Sequence, residues 1–97
     1  MLEVSYYFKG MDTSEAVREY AEKRSQKFEK YISSPTQVKW NFEVQHDSHH
    51  AKCHLSNGQV NDVADATSND MYQSIDTAME KLAHQLQKQK EKLTSHH

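Results

Sequence analysis

Strict two-residue alternation of apolar and polar side chains constrains this chain most, because it recurs in three separate stretches. Leu2, Val4, Tyr6 and Phe8 alternate with Glu3, Ser5, Tyr7 and Lys9. Val38, Trp40, Phe42 and Val44 alternate with Lys39, Asn41, Glu43 and Gln45, and Ala51, Cys53 and Leu55 with Lys52, His54 and Ser56. A strand patterned this way buries one face and leaves the other in water. The second and third strands are expected to join around Asp47-Ser48-His49. Asn57-Gly58 reads as a hairpin turn because both residues tolerate positive φ, which lets Val60 to Ala66 return as a fourth strand.

Two segments carry a 3.6-residue period instead. Asp12, Thr13 and Ser14 offer side-chain acceptors to free helix amides, and Glu15 three residues after Asp12 matches a capping box. Val17, Tyr20, Ala21, Phe28 and Tyr31 then share one stripe, and Ser33-Ser34-Pro35 stops the helix, which is expected to run to about Tyr31. Asp70 with Gln73 forms a second capping box. It opens a long helix whose Met71, Ile75, Met79, Leu82, Leu86 and Leu93 share a face.

The predicted fold is therefore α+β, in the order β-α-β-β-β-α: two layers, with a four-stranded sheet and both helices on one face. A chain of 97 residues buries only about 60–65% of its unfolded surface, and two layers are the economical way to build a core from so few apolar residues. No repeat or linker interrupts the pattern, so residues 1–95 are expected to form a single domain. His96 and His97 read as a possible tag remnant and are set aside.

Composition removes several function classes. With Cys53 as the one cysteine, no intrachain disulfide, zinc knuckle or redox pair is available, which suits a cytoplasmic protein. Cys53 alternates with Ala51 and Leu55 on the core face, where a thiol is inert. No apolar run reaches membrane-spanning length, and the N-terminus lacks the basic and apolar segments of a secretory signal. No nucleophile elbow, phosphate loop or H-E-x-x-H pattern appears, so an enzyme is not expected and no cofactor is implied. His46, His49, His50 and His54 crowd the second hairpin. They are candidate ligands for an adventitious transition ion, against the plainer reading of solvated loop side chains.

The net charge of −2 argues at first sight against a phosphate-rich partner, but distribution matters more than the sum. Nine of the twelve basic residues fall in the two helices. With Leu82 at zero, Lys81, Gln85, Lys88 and Lys92 project between about −60° and −120°, with His84 near about −160°, while Asp76, Glu80 and Glu91 lie elsewhere. Lys23, Lys27 and Lys30 form a similar stripe on the first helix, with Glu19, Glu22 and Glu29 opposite. Solvated helix faces are the plainer account of any one stripe. Two stripes on helices that cover the same sheet suggest a shared groove for a phosphate backbone. Tyr6, Phe8, Trp40 and Phe42 are read as core and not as base-stacking platforms, because of their strict alternation.

The stretch Ala64-x-Ala66-x-x-x-Asp70-Met71-Tyr72-x-x-Ile75-Asp76, followed by Lys81-Leu82-x-x-Gln85-Leu86-x-Lys88-x-Lys90-x-Lys92, resembles the ribosome hibernation promoting factor and ribosome-associated inhibitor family, also called sigma-54 modulation proteins. Glu15 to Tyr20 and Lys27 to Tyr31 agree, so the likeness spans nearly the whole domain. It implies a fold related to double-stranded RNA-binding domains that docks in the small ribosomal subunit, against its rRNA, where messenger and transfer RNA would sit. Translation is then inhibited by occupancy. The resemblance carries the rRNA contacts to Arg24, Lys27, Lys81, Lys88, Lys90 and Lys92, beside Gln85. With Lys23, Lys30 and His84 from the stripes, these are the candidate RNA-binding residues.

Because the sequence stops after the last helix, it resembles the short family form, which works with a ribosome modulation factor to pair inactive ribosomes in stationary phase. His84, where relatives often carry arginine, and Thr94, in place of a common terminal lysine, depart from the pattern and lower its charge. Membrane and DNA are not expected as partners. Two alternatives stay open: a generic double-stranded RNA-binding module, and a protein-interaction domain using acidic residues Glu3, Glu43, Asp62 and Asp65.

Overall fold

The computed structural model describes residues 2–32 and 35–94, the last five in backbone only. Strand β1 (Leu2–Lys9) leads into helix α1 (Glu15–Ser25) and a 3-10 segment (Gln26–Lys30). Strands β2 (Thr36–Gln45), β3 (Ser48–Ser56) and β4 (Asn61–Ser68) follow, then helix α2 (Met71–Thr94). The sheet order is β1-β2-β3-β4. β1 lies parallel to β2, with Tyr6 beside Trp40, and β2, β3 and β4 form an antiparallel meander. The β-α-β-β-β-α order and the two-layer arrangement are those expected from the periodicities.

One sheet face supplies the core. Val38, Trp40, Phe42, Ala51, Cys53, Leu55 and Ala64 meet Val17, Ala21 and Phe28 from the first helical segment and Met71, Ile75, Ala78, Met79, Leu82 and Leu86 from α2. Each large side chain buried this way contributes about 1.5–3 kcal/mol. Tyr6 and Phe8 pack with Phe42, and Trp40 and Phe42 stack with ring centroids 5.7 Å apart, so the aromatic alternation is core. Burial pushes the Tyr6 hydroxyl up to about 12 and the Cys53 thiol higher still. A nucleophilic thiolate at position 53 is thereby disfavoured. No helix among the described residues is long and apolar enough to cross a membrane.

Local details differ from the sequence reading at four points. The cap of α1 is Ser14, whose Oγ accepts from the Val17 amide at 3.2 Å; the Asp12–Glu15 capping box is not formed. At α2, Asp70 Oδ1 accepts from the Tyr72 amide, while the Asp70 amide donates to Ser68 Oγ, the role foreseen for Gln73. The β2–β3 turn falls at His46-Asp47, with His46 at φ 57°, earlier than expected. The β3–β4 connection is a four-residue loop and not a two-residue turn, and Gly58 does not need positive φ. It is organised by the Asn57 carboxamide, which accepts from the amides of Gln59 and Val60. A glycine is required at Gly10, where φ is 71° and an added Cβ would lie 2.4 Å from the Val44 carbonyl oxygen.

The first helix is also not α-helical to Tyr31. Ser25, fully buried, donates its hydroxyl to the Ala21 carbonyl at 2.7 Å and accepts the Trp40 indole N–H at 2.8 Å. A serine bonded back to the i−4 carbonyl bends a helix. The chain then tightens to three residues per turn, which puts Phe28 directly below Ser25 and into the core. The stop at Ser33-Ser34 lies outside the described residues. Ser25→Ala leaves the buried indole N–H without its acceptor, so urea denaturation is expected to report a loss of about 1–3 kcal/mol. An unchanged midpoint would show that the bond holds nothing.

Candidate nucleic-acid interface

The change to a 3-10 repeat sets the geometry of the basic residues that follow. Lys27 and Lys30 lie in the 3-10 segment, where positions three apart eclipse one another, and Arg24 precedes Lys27 by three residues in the last turn of α1. All three line one wall of a groove of about 270 Å³ between the first helical segment and α2. Its floor is Tyr31, Met79 and Ala83, and its far wall is Asp76 and Glu80. Lys23 is exposed on α1 and is not in this groove. The regular 100° projection had grouped it with Lys27 and Lys30, and missed that Arg24 replaces it.

Arg24 is fixed by a cluster that joins the helices. Its Nε lies 3.1 Å from Asp76 Oδ1 and its Nη2 donates to Tyr20 Oη at 2.7 Å, while Tyr20 Oη in turn donates to the Asp76 carboxylate at 2.9 Å. The guanidinium also lies over the Tyr20 ring, 4.7 Å from its centroid, and Tyr20 meets Tyr72 edge-on at 4.9 Å. The Tyr20 hydroxyl first, and Asp76 second, raise the Arg24 pKa above its ordinary value. With Nε and Nη2 held inward, the remaining guanidinium N–H groups are left for a partner in the groove.

The basic residues of α2 do not border that groove, contrary to the shared channel inferred from the two stripes. Lys81 turns the other way and donates to the Asp65 carbonyl of β4 at 2.9 Å, and Gln89 reaches Asp62 of β4 at 2.8 Å. The stripe of Lys81, half-buried Gln85 and exposed Lys88 therefore runs along the β4 side of α2, with exposed His84 nearer its crest. The reason is the angle at which α2 lies on the sheet. Leu82 points down, so the side at about −100° faces the β4 edge and the side at about +100°, carrying Asp76 and Ala83, faces α1. The two basic tracks thus flank α2. Lys90 and Lys92 lie in its last turns, with side chains outside those described.

The hairpin histidines do not converge. His50 and His54 stand on the open sheet face, where His50 Nε2 meets Asp65 Oδ2 at 2.8 Å and His54 bonds Asn61. His49 alternates to the helix side and His46 sits in the turn. Among the described residues no three His, Cys, Asp or Glu side chains gather as a metal site. The His50 hydrogen bond holds the Asp65 carboxyl below its ordinary value.

Nor do Glu3, Glu43, Asp62 and Asp65 form one acidic patch. Asp62 pairs in register with buried Leu55 and so faces the helices. The other three share the open face with Lys9, Lys39 and Lys52, and Lys9 pairs with Glu43 at 3.9 Å.

A one-faced sheet covered by two helices, with cations sorted into two tracks about α2, defines a small two-layer α+β domain. Comparison with known proteins gives the class its name. The sequence profile described as "Sigma 54 modulation protein / S30EA ribosomal protein" matches residues 4–94, and the chain belongs to that family.

It is 35% identical over 88 residues to the ribosome hibernation promoting factor of Escherichia coli K12, covering 89% of this chain and 90% of that protein. It is 36% identical over 84 residues to the protein of the same name from Azotobacter vinelandii, covering 84% and 77%. A solved ribosomal subunit interface protein from Coxiella burnetii superposes with a TM-score of 0.79 at 28% identity, over 93% of this chain and 98% of that one. The N-terminal domain of Thermus thermophilus Protein Y shares the fold, with a TM-score of 0.80 at 17% identity over 88% of this chain and 96% of that one.

The Arg24–Tyr20–Asp76 cluster was not foreseen, since 56 positions separate Tyr20 from Asp76 and no periodicity or spacing links the two. If Asp76 orders the guanidinium, the Arg24 Nε–H resonance will be sharp in wild-type NMR spectra near neutral pH and broadened by solvent exchange in Asp76→Ala. An unaltered Arg24 signal would mean that the ion pair does not persist in solution.

Proposed function

We propose that this protein is a ribosome hibernation factor that docks on rRNA of the small ribosomal subunit and silences it by occupying the path of messenger and transfer RNA. The observation that carries this reading is the sorting of cations into two tracks about α2, on a chain whose relatives are named for hibernation and for the subunit interface. Lysine and arginine contacts to phosphate give affinity and orientation without reading sequence. Selectivity for the ribosome then falls to shape, as it does for proteins that recognise structured RNA.

In this reading Arg24, Lys27 and Lys30 serve one track and Lys81, Lys88 and Lys92, with Gln85 and His84, the other, while Lys90, about +80° from Leu82, adds a further cation near the end of α2. The role is one of binding, with no reaction to catalyse and no cofactor to hold. Action in the cytoplasm, cooperation with a ribosome modulation factor and pairing of inactive ribosomes in stationary phase belong to the same proposal. They rest on the family likeness alone, as does the assignment of residues 1–95 to one ribosome-binding domain. A generic duplex-binding module would use the same cations without preference for the ribosome. The protein-interaction alternative loses its main support with the mixed charge of the open sheet face.

Sedimentation with small subunits at low and raised salt tests the proposal. Wild-type protein is expected to co-sediment at low salt and dissociate as salt rises, each phosphate contact contributing roughly 0.7–0.9 to the log–log slope. Lys81→Glu/Lys88→Glu and Arg24→Glu/Lys27→Glu are each expected to weaken binding by about tenfold or more. Undiminished binding by both would place the interface elsewhere, and a wild-type protein that never sediments with subunits would defeat the proposal.

A further inference from the structure

The groove between the helices is polarised across its width, and a continuous phosphate backbone does not match that polarity. One wall carries Arg24, Lys27 and Lys30 and the other Asp76 and Glu80, over an apolar floor of Tyr31, Met79 and Ala83. Asp76 is occupied by Arg24 and Tyr20. Glu80 is exposed and, among the described residues, has neither a hydrogen bond nor an ion pair. Phosphates following the groove would meet Glu80 as a like charge. A ligand anionic at one end and bearing N–H donors at the other would satisfy both walls.

We infer that this groove seats a single unstacked nucleotide, with its phosphate on Arg24 and Lys27 and its base on the apolar floor, and that Glu80 selects guanine. The inference deepens the proposed rRNA docking and rests on it. Guanine is the base whose Watson–Crick edge presents adjacent ring N–H and amino donors, which a carboxylate accepts with both oxygens, as it does from arginine. Adenine and cytosine offer an amino group beside an unprotonated ring nitrogen, and uracil a single N–H between two carbonyls that the carboxylate repels.

Unpaired bases splayed from RNA are commonly held by aromatic surface together with edge hydrogen bonds. The floor supplies this through half-buried Tyr31, whose ring lies 5.5 Å from the Lys30 ammonium. The pinned Arg24 contributes a phosphate donor whose orientation is set before binding, which lowers the ordering cost.

The test needs no ribosome. The protein is titrated with guanosine, adenosine, cytidine and uridine 5′-monophosphates, and with inorganic phosphate, while backbone amide resonances are followed by NMR. The guanosine nucleotide is expected to shift the amides of Lys27, Tyr31 and Ala83 with a midpoint about tenfold below that of the uridine nucleotide, the size of one charged hydrogen-bond pair. Glu80→Ala, an exposed change on a long helix, is expected to erase that preference and leave the residual phosphate-driven shifts. Equal midpoints for all four nucleotides, shifts reproduced by phosphate alone, a preference that survives Glu80→Ala, or groove amides that never move would each overturn the inference. Wild-type protein that still sediments with subunits after such a result separates failure of the guanine seat from failure of ribosome docking.

Discussion

The indole N–H of Trp40, bonded to the hydroxyl of Ser25, is the interaction on which the cationic groove depends. Trp40 lies fully buried on the second strand, and a buried donor of this kind must find an acceptor. Ser25 supplies it, and donates its own O–H to the Ala21 carbonyl. That relay fixes where the first helix gives way to a 3-10 turn. The turn sends Phe28 into the core and brings Lys27 and Lys30 into the groove that Arg24, in the last turn of α1, also lines. The charged wall of the groove is thus a consequence of a core hydrogen bond.

The second organising fact is that only one face of the sheet is covered. Both helices lie there, and α2 must place Leu82 and Leu86 downward, so its remaining circumference is split between a side toward α1 and a side toward the β4 edge. Lys81 and Lys88 lie on the β4 side, and Asp76 and Glu80 border the groove toward α1. A protein of formal charge −2 can therefore present two cationic tracks, because its acidic groups, Glu80 in the groove wall excepted, are held either against specific partners or on other surfaces. Asp76 is the instructive case: it lowers the net charge of the groove, yet it holds the arginine that points into it.

The strands, the two-layer arrangement, the core faces and the segregation of charge were legible in the sequence because each is a local periodicity. The family likeness was legible in the run from Ala64 to Lys92. What sequence did not show were relations between elements distant in the chain. Tyr20 with Asp76 and Trp40 with Ser25 are ordinary residue types until the fold joins them. The shared groove failed for a related reason: helical projection gives angles about one axis, but not which side of that axis meets a neighbour. The 3-10 turn was missed because a buried serine inside a helical pattern carries no sign of its own until its partner is known. The hairpin histidines, grouped by proximity in sequence, were separated by strand alternation.

The central claim is that shape selects the ribosome and the cationic tracks supply affinity. Competition binding tests it most directly, with labelled protein bound to small subunits and challenged by an excess of plain duplex RNA at physiological salt. The account predicts that duplex RNA displaces the protein only at phosphate concentrations at least about a hundredfold above those of intact subunits, since non-specific electrostatic binding is weak at that salt. Equal displacement by duplex and by subunits would contradict it and leave a generic duplex-binding module.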